Sequence, residues 1–194
     1  MFKVWVESQE WNRFARLTPH AGDFRRDDWR FAKGKPATGH VPDDLVFDVD
    51  PQFGVELADE LPNTFRAHVL AERFASAVAE LGVKLERFPV GIRNARGRVV
   101  PDRYELVNLL EAVPCVDLER STYITALVKG QLLKVTKLVL DPSKVDAARP
   151  LFRIGEAPFL WLVRDDVVQA WTQAGFTGCR FVAVEDYARE HEGL

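Results

Sequence analysis

Two short acidic patterns contain the residues of this chain that could bind a metal ion or take part in catalysis. Asp48 and Asp50 form an Asp-x-Asp pair, which on an extended strand could hold a divalent cation from one side, although a solvated acidic loop explains the pair more simply. The segment DLERS gathers Asp117, Glu119 and Ser121, which together with a histidine brought in by folding could form a hydrolytic site. A turn in which Asp117 or Ser121 hydrogen-bonds nearby backbone is the simpler interpretation.

The sequence motifs of common active sites are missing. The chain has no GxSxG elbow, no GxGxxG turn, no GxxxxGK[ST] loop and no HExxH helix. Its four histidines stand isolated in the sequence, at His20, His40, His68 and His191. Cys115 and Cys179 lie in apolar segments without a CxxC, which predicts two buried thiols rather than zinc ligands or a disulfide. We therefore predict a protein that is not an enzyme, with no catalytic residues, metal or cofactor.

One segment carries a strongly unbalanced charge. Val41–Pro62 contains seven acidic residues and no basic residue, whereas the whole chain has a net charge of only −3. Such a surface can steer a basic protein partner and pair with its lysines and arginines, and solubility alone is the competing explanation. The predicted binding residues are the seven carboxylates, Asp43, Asp44, Asp48, Asp50, Glu56, Asp59 and Glu60.

A basic, aromatic segment earlier in the chain resembles a nucleic-acid contact. In DFRRDDWRFAKGK, the side chains of Arg25, Arg26 and Arg30 could neutralise phosphates while Trp29 stacks on a base. Three aspartates interrupt this segment, and the sequence pI is about 5.9. We therefore predict no nucleic-acid partner.

Hydropathy places the chain in the cytoplasm. No apolar run approaches the roughly 20 residues that cross a bilayer. Lys3, Glu7 and Glu10 interrupt the N-terminal stretch, where a signal peptide would be continuously apolar. We predict a cytoplasmic protein without membrane contact, and homo-oligomerisation stays open.

The periodicity predicts an α+β fold with a largely antiparallel sheet and two main helices packed on it. The opening FKVWVES alternates like an edge strand, and ITALVKGQLLKVTKLVL, split at Lys129 and Gly130, is typical of a β-hairpin. One helix is expected from an Asn63 or Thr64 cap to Gly82. A second is expected to be capped by Asp165 or Asp166 and to run through VVQAWTQAG, with Gly175 at its C-terminal end.

The length of 194 residues favours a single domain over residues 1–194. Within it we distinguish residues 1–62, as variable N-terminal strands and the acidic surface segment, from residues 63–194, as a family-like core.

The second half of the chain resembles a bacterial immunity-protein family, typified by a myxobacterial immunity protein and earlier known only as a domain of unknown function. The resemblance covers Phe65–Val184. Its motifs are a tyrosine and asparagine strand, an Asp and Ser pair, Leu-Asp, Phe-Arg and an AG-x-TG-x-x-F ending. Here they fall at Tyr104–Asn108, Asp117 and Ser121, Leu140 and Asp141, Phe152 and Arg153, and Ala174–Phe181.

The resemblance implies a cytoplasmic protein that binds and neutralises a cognate toxin made by its own cell or its kin. It supplies no catalytic residues, and it implies that the toxin is encoded by an adjacent gene. We therefore expect an immunity protein, whose acidic segment contacts the toxin. The alternative is a small hydrolase or metal-dependent enzyme of unknown substrate.

Overall fold

A computed structural model describes residues 1–18, 23–63 and 65–187, apart from the side chains of Asp23 and Arg25. Within these residues there are eleven β-strands and three α-helices. The strands are β1 (Phe2–Glu7), β2 (Val46–Asp48), β3 (His68–Ala71), β4 (Leu85–Arg93), β5 (Tyr104–Leu109), β6 (Ala112–Val113), β7 (Thr122–Thr125), β8 (Leu132–Lys137), β9 (Leu151–Ile154), β10 (Trp161–Arg164) and β11 (Cys179–Ala183). The α-helices are α1 (Trp29–Lys33), α2 (Glu72–Ala79) and α3 (Asp165–Gln173), and short 3-10 helices span Asp23–Arg26 and Val184–Asp186.

The α+β class is confirmed, with α2 and α3 as the two main helices and mostly antiparallel strand pairs. The chain divides into two compact units. The first unit contains Met1–Glu7, Glu111–Gly175 and Cys179–Leu194, and the second contains Ser8–Leu110 and Phe176–Gly178. The single domain and its division after residue 62 stay predictions.

The first unit contains a five-stranded sheet in the order β11-β1-β10-β9-β6, in which only β6 and β9 pair in parallel. The edge position expected for β1 is wrong, because β1 lies between β11 and β10. Its two faces are both covered. Trp5 packs edge-on against Trp161 and Trp171, with ring centroids 5.6 and 5.2 Å apart, while Val4 and Val6 belong to a separate apolar core.

The strands β7 and β8 form a separate two-stranded antiparallel sheet, which confirms the predicted hairpin. Gly130 adopts a φ of +80° in the connection, a conformation that favours glycine. Leu132 and Val135 of β8 are buried in the same apolar core as Val4. One face of the hairpin therefore packs on the core of the first unit, to which the hairpin belongs.

The second unit contains a four-stranded sheet in the order β2-β4-β5-β3. The pairing of β2 with β4 is parallel, and the other two pairs are antiparallel. Helix α2 packs against β3 and β5. Its core contains several large side chains that are almost fully buried, among them Leu17, Phe31, Phe47, Leu61, Ile92 and Leu106.

The helix expected up to Gly82 is correct only in its second half. Helix α2 begins at Glu72, and the preceding residues form β3, in which Val69 pairs with Leu106 of β5. Asn63 caps no helix. Its side-chain amide instead donates to the Leu61 and Ala67 carbonyl oxygens, at 3.2 and 2.7 Å. Thr64, the other expected cap, lies outside the described residues.

The two cysteines differ in environment, although both were expected to be buried. Cys115 is fully buried, whereas Cys179 is only partly buried. Burial, and then the nearby negative charge of Glu156, raise the pKa of the Cys115 thiol to about 12. At pH 8 this thiol is almost entirely protonated and therefore unreactive, because the thiolate is the nucleophile.

We expect only Cys179 to react with a thiol reagent in the native protein at pH 8, and Cys115 to react after denaturation. The measurement is mass spectrometry of alkylated protein with and without urea. As the control, Cys179→Ser should remove the fast-reacting thiol. Rapid native labelling of Cys115 would contradict its burial.

Candidate functional site

The acidic segment Val41–Pro62 is held by alternating apolar residues. Leu45, Phe47 and Val49 are buried in the core of the second unit, so the residues between them face outward. Phe47 stacks on Phe65, with ring centroids 5.0 Å apart. The segment is therefore a strand and its flanking turns, anchored from one face, rather than a loop that lies only on the surface.

Asp43 and Asp44 are exposed carboxylates that carry no ion pair with another described residue. Both lie in the turn before β2. These two side chains retain the unbalanced charge that the sequence indicates.

Three further carboxylates of the segment already have contacts within the second unit. Asp48 accepts a hydrogen bond from Arg93 Nη1 at 3.1 Å, and Asp50 accepts one from the Gln52 backbone amide at 2.9 Å. Both oxygens of Glu56 meet the guanidinium of Arg13, at 2.9 and 3.0 Å. The hydrogen bond from Arg13, followed by its positive charge, holds the pKa of Glu56 below its usual value.

Asp59 is buried, with 7% exposure, and accepts four hydrogen bonds. Arg73 of α2 donates through Nε and Nη2, at 2.5 and 2.6 Å. Thr177 donates through its backbone amide and its hydroxyl, at 2.8 and 2.9 Å. Asp59 therefore joins α2 to the segment Phe176–Gly178.

Glu60 is also buried, with 6% exposure. One of its oxygens lies 2.6 Å from Nδ1 of His68, on β3. The Glu60 backbone amide donates to the carbonyl oxygen of Thr177 at 3.0 Å. This carboxylate, like that of Asp59, faces the interior of the unit.

The seven carboxylates therefore do not form one uncompensated surface, as the charge count suggested. Three of them pair with arginines from outside the segment, Glu56 with Arg13, Asp59 with Arg73 and Asp48 with Arg93, and Glu60 lies beside His68. Toxin binding by these carboxylates stays a prediction.

The AG-x-TG portion of the ending motif has a structural explanation. Gly175 and Gly178 have φ values of +68° and +80°. An added Cβ on Gly178 would overlap the carbonyl oxygen of Glu60, so only glycine fits there. Between these glycines, Phe176 stacks on Phe74 of α2 with ring centroids 4.2 Å apart, and Thr177 binds Asp59.

The DLERS segment forms a turn, as the simpler interpretation predicts. Asp117 accepts hydrogen bonds from the backbone amides of Glu119 and Arg120, both at 3.1 Å. The Ser121 hydroxyl donates to the Val139 carbonyl oxygen at 3.2 Å and accepts from the Val139 amide at 3.0 Å. These side chains are occupied in holding backbone.

The remaining chemical candidates are dispersed. Across residues 1–18, 23–63 and 65–187, no three His, Cys, Asp or Glu side chains gather to hold a metal ion. His40 lies 3.5 Å from Asp27, and His20 and His191 fall outside the described residues. In the basic segment, Arg30 bonds Asp27 at 3.0 Å and packs 5.0 Å from the ring of Trp29.

One exposed feature was missed because its residues are apolar. The hairpin β7–β8 carries Ile124, Leu127, Val128 and Leu133 on its surface. Periodicity alone suggests that such residues are buried. The signal that could have identified them is the isolation of the hairpin, because a two-stranded sheet can pack only one face on a core.

The motifs and their order match a family of immunity proteins. The family model described as Immunity protein family (Imm11) matches residues 3–186, so the chain belongs to this family. The match extends the resemblance seen in Phe65–Val184 to nearly the whole chain. A comparison with curated proteins finds no match. In the described part of the chain, no helix has the length and apolar character to span a membrane.

Proposed function

We propose that this immunity protein binds and neutralises a cognate bacterial toxin in the cytoplasm. The observation that carries the proposal is the family match over residues 3–186. Neutralisation by binding requires a complementary surface rather than a catalytic site. The use of Asp117 and Ser121 as backbone-holding turn residues is consistent with this mode of action.

The surface proposed to meet the toxin is the exposed part of the acidic segment. Asp43 and Asp44 lie together in one turn, and Asp48 is exposed nearby in sequence. Charges of one sign on an open turn attract a basic surface over about a Debye length, roughly 8 Å at physiological salt. A nuclease cleft is one basic surface of this kind. Asp59 and Glu60, which contact Arg73, Thr177 and His68, would stabilise the second unit from inside rather than meet the toxin.

The proposal is tested by co-expression with the adjacent open reading frame, which is the proposed source of the toxin. We expect that frame to arrest growth when expressed alone. Co-expression of the immunity protein should restore growth, and the two proteins should purify as a stoichiometric complex. A toxic neighbour that is neither rescued nor bound would overturn the proposal, as would rescue without any physical complex.

We expect the double substitution Asp43→Lys and Asp44→Lys to slow association with the toxin about tenfold at low salt, since steering by opposite charge raises association rates. Stopped-flow or surface-based kinetics at two salt concentrations measures this. The dissociation rate should change less than the association rate.

The matched control is Glu119→Lys and Glu185→Lys, which reverses two exposed acids in the first unit. It should leave the association rate near that of the wild type. An equal loss in both variants would show that net charge, not the turn at Asp43, governs association.

A further inference from the structure

The exposed apolar side chains are concentrated on one hairpin. Of the nine large apolar residues that are exposed in the described chain, four belong to the segment Thr122–Lys137. These are Ile124, Leu127, Val128 and Leu133. Leu127 is fully exposed at the tip, and Ile124 and Leu133 on the strands are 52% and 60% exposed. A concentration of exposed apolar side chains on one element commonly marks a contact site.

The hairpin has one packed face and one open face. Leu132 and Val135 enter the core of the first unit, and Tyr123 packs against it partly buried. Within the described residues the two strands pair only with each other, with register shifts on both sides of the Tyr123 and Ile124 pairs. The open apolar residues are therefore presented on a framework that the buried face fixes in place.

Positive charge surrounds these apolar residues. Between Arg120 and Leu140 the sequence contains Lys129, Lys134 and Lys137 and no acidic residue. None of the three lysines makes an ion pair with another described residue. The hairpin is thus an apolar tip with a basic border, opposite in charge to the turn at Asp43 and Asp44.

We propose that the β7–β8 hairpin is a second toxin contact, which inserts Leu127 and its apolar neighbours into an apolar groove bordered by carboxylates. This inference rests on the proposed function and deepens it. The occupant is the toxin rather than a second copy of this chain, because a symmetric hairpin pair would bring lysines of like charge together.

The two surfaces would act on different steps of binding. Exposed carboxylates at Asp43 and Asp44 accelerate encounter, whereas burial of an apolar anchor slows dissociation. Removing the apolar tip is therefore expected to raise the dissociation rate and leave the association rate nearly unchanged.

The test uses the full-length protein and the product of the adjacent reading frame. We expect Leu127→Asp to speed dissociation at least about tenfold and to weaken growth rescue. Lys129→Glu alters the basic border without touching the apolar residues, and it should weaken the complex about threefold to tenfold. Val99→Asp, at an exposed apolar residue of the second unit that lies outside the acidic segment, is the matched control and should bind normally.

All three positions are exposed, so each variant should unfold at nearly the wild-type temperature. Thermal unfolding therefore distinguishes the loss of a contact from a folding defect. If the wild type rescues growth, and Leu127→Asp and Lys129→Glu both dissociate from the toxin at the wild-type rate, the hairpin contact is overturned and the proposed function stands. If the wild type self-associates and Leu127→Asp abolishes this self-association, the hairpin binds a second copy of this chain, and the proposal that it binds the toxin is overturned. A wild type that neither binds nor rescues would overturn both proposals.

Discussion

Replacing Asp59 by Asn should lower the free energy of unfolding by about 2–4 kcal/mol. All four hydrogen-bond donors around Asp59 point at its two oxygens, two from Arg73 and two from Thr177. An asparagine replaces one oxygen by an NH2 group, which must then face a donor. Both Thr177 donors and Arg73 Nη2 meet Oδ2, whereas only Arg73 Nε meets Oδ1, so the NH2 group should take the place of Oδ1. The loss should therefore come from the unmatched Arg73 Nε and from the missing negative charge, which weakens the remaining hydrogen bonds.

Urea unfolding followed by circular dichroism measures this loss. The matched control is Asp43→Asn, the same chemical change at an exposed carboxylate, which should alter stability by less than about 0.5 kcal/mol. Equal unfolding midpoints for Asp59→Asn and the wild type would show that the hydrogen-bond network contributes little.

The same pair of variants separates structural from binding roles within the acidic segment. If Asp59→Asn were as stable as the wild type but failed to bind the toxin, Asp59 would belong to the contact surface after all. If instead it is destabilised and the folded fraction still binds, its role is to join α2 to the segment Phe176–Gly178. The buried position of Asp59 leads us to expect the second result.

Local patterns predicted the elements whose ends are set by nearby residues. Helix α3 begins at Asp165 and is followed by Gly175, close to the predicted limits. The hairpin turn falls at Gly130 as expected. In both cases glycine with a positive φ terminates or reverses the chain, which a sequence reveals directly.

Long-range pairing explains what the sequence could not predict. The stripe Leu70, Phe74 and Val78 fits a continuous helix, yet Leu70 lies in β3 because β5 offers a strand partner. Tertiary pairing here overrides an amphipathic pattern. Nothing within the segment itself reveals that β5 will lie alongside it.

The charge count of the acidic segment failed for the same reason. The bases that pair with Asp48 and Glu56 are 45 and 43 positions away along the chain. A window of sequence cannot detect them, so it overstates the open charge. Conversely, the exposed apolar residues of the hairpin could not be identified from the sequence, because periodicity reports which residues share a face, not whether that face is covered.

Substituting Gly178 by Ala should destabilise the protein more than Asp59→Asn does, with a loss of about 3–5 kcal/mol in the free energy of unfolding. A Cβ at this position would overlap the Glu60 carbonyl oxygen and lie 2.6 Å from the Ala58 Cβ. The φ of +80° adds strain for any residue with a side chain. Because Thr177 precedes Gly178 directly, any shift that relieves the overlap also stretches the hydrogen bonds to Asp59.

Gly175→Ala is the matched control for this effect. Gly175 has a similar φ of +68°, but an added Cβ there meets no atom within 4 Å. It should therefore show only the cost of the left-handed backbone, about 1 kcal/mol. Chemical unfolding of the two variants in parallel isolates the overlap from the strain. Equal losses would mean that the Glu60 and Gly178 segments separate easily, and the Asp59 variant should then also be mild.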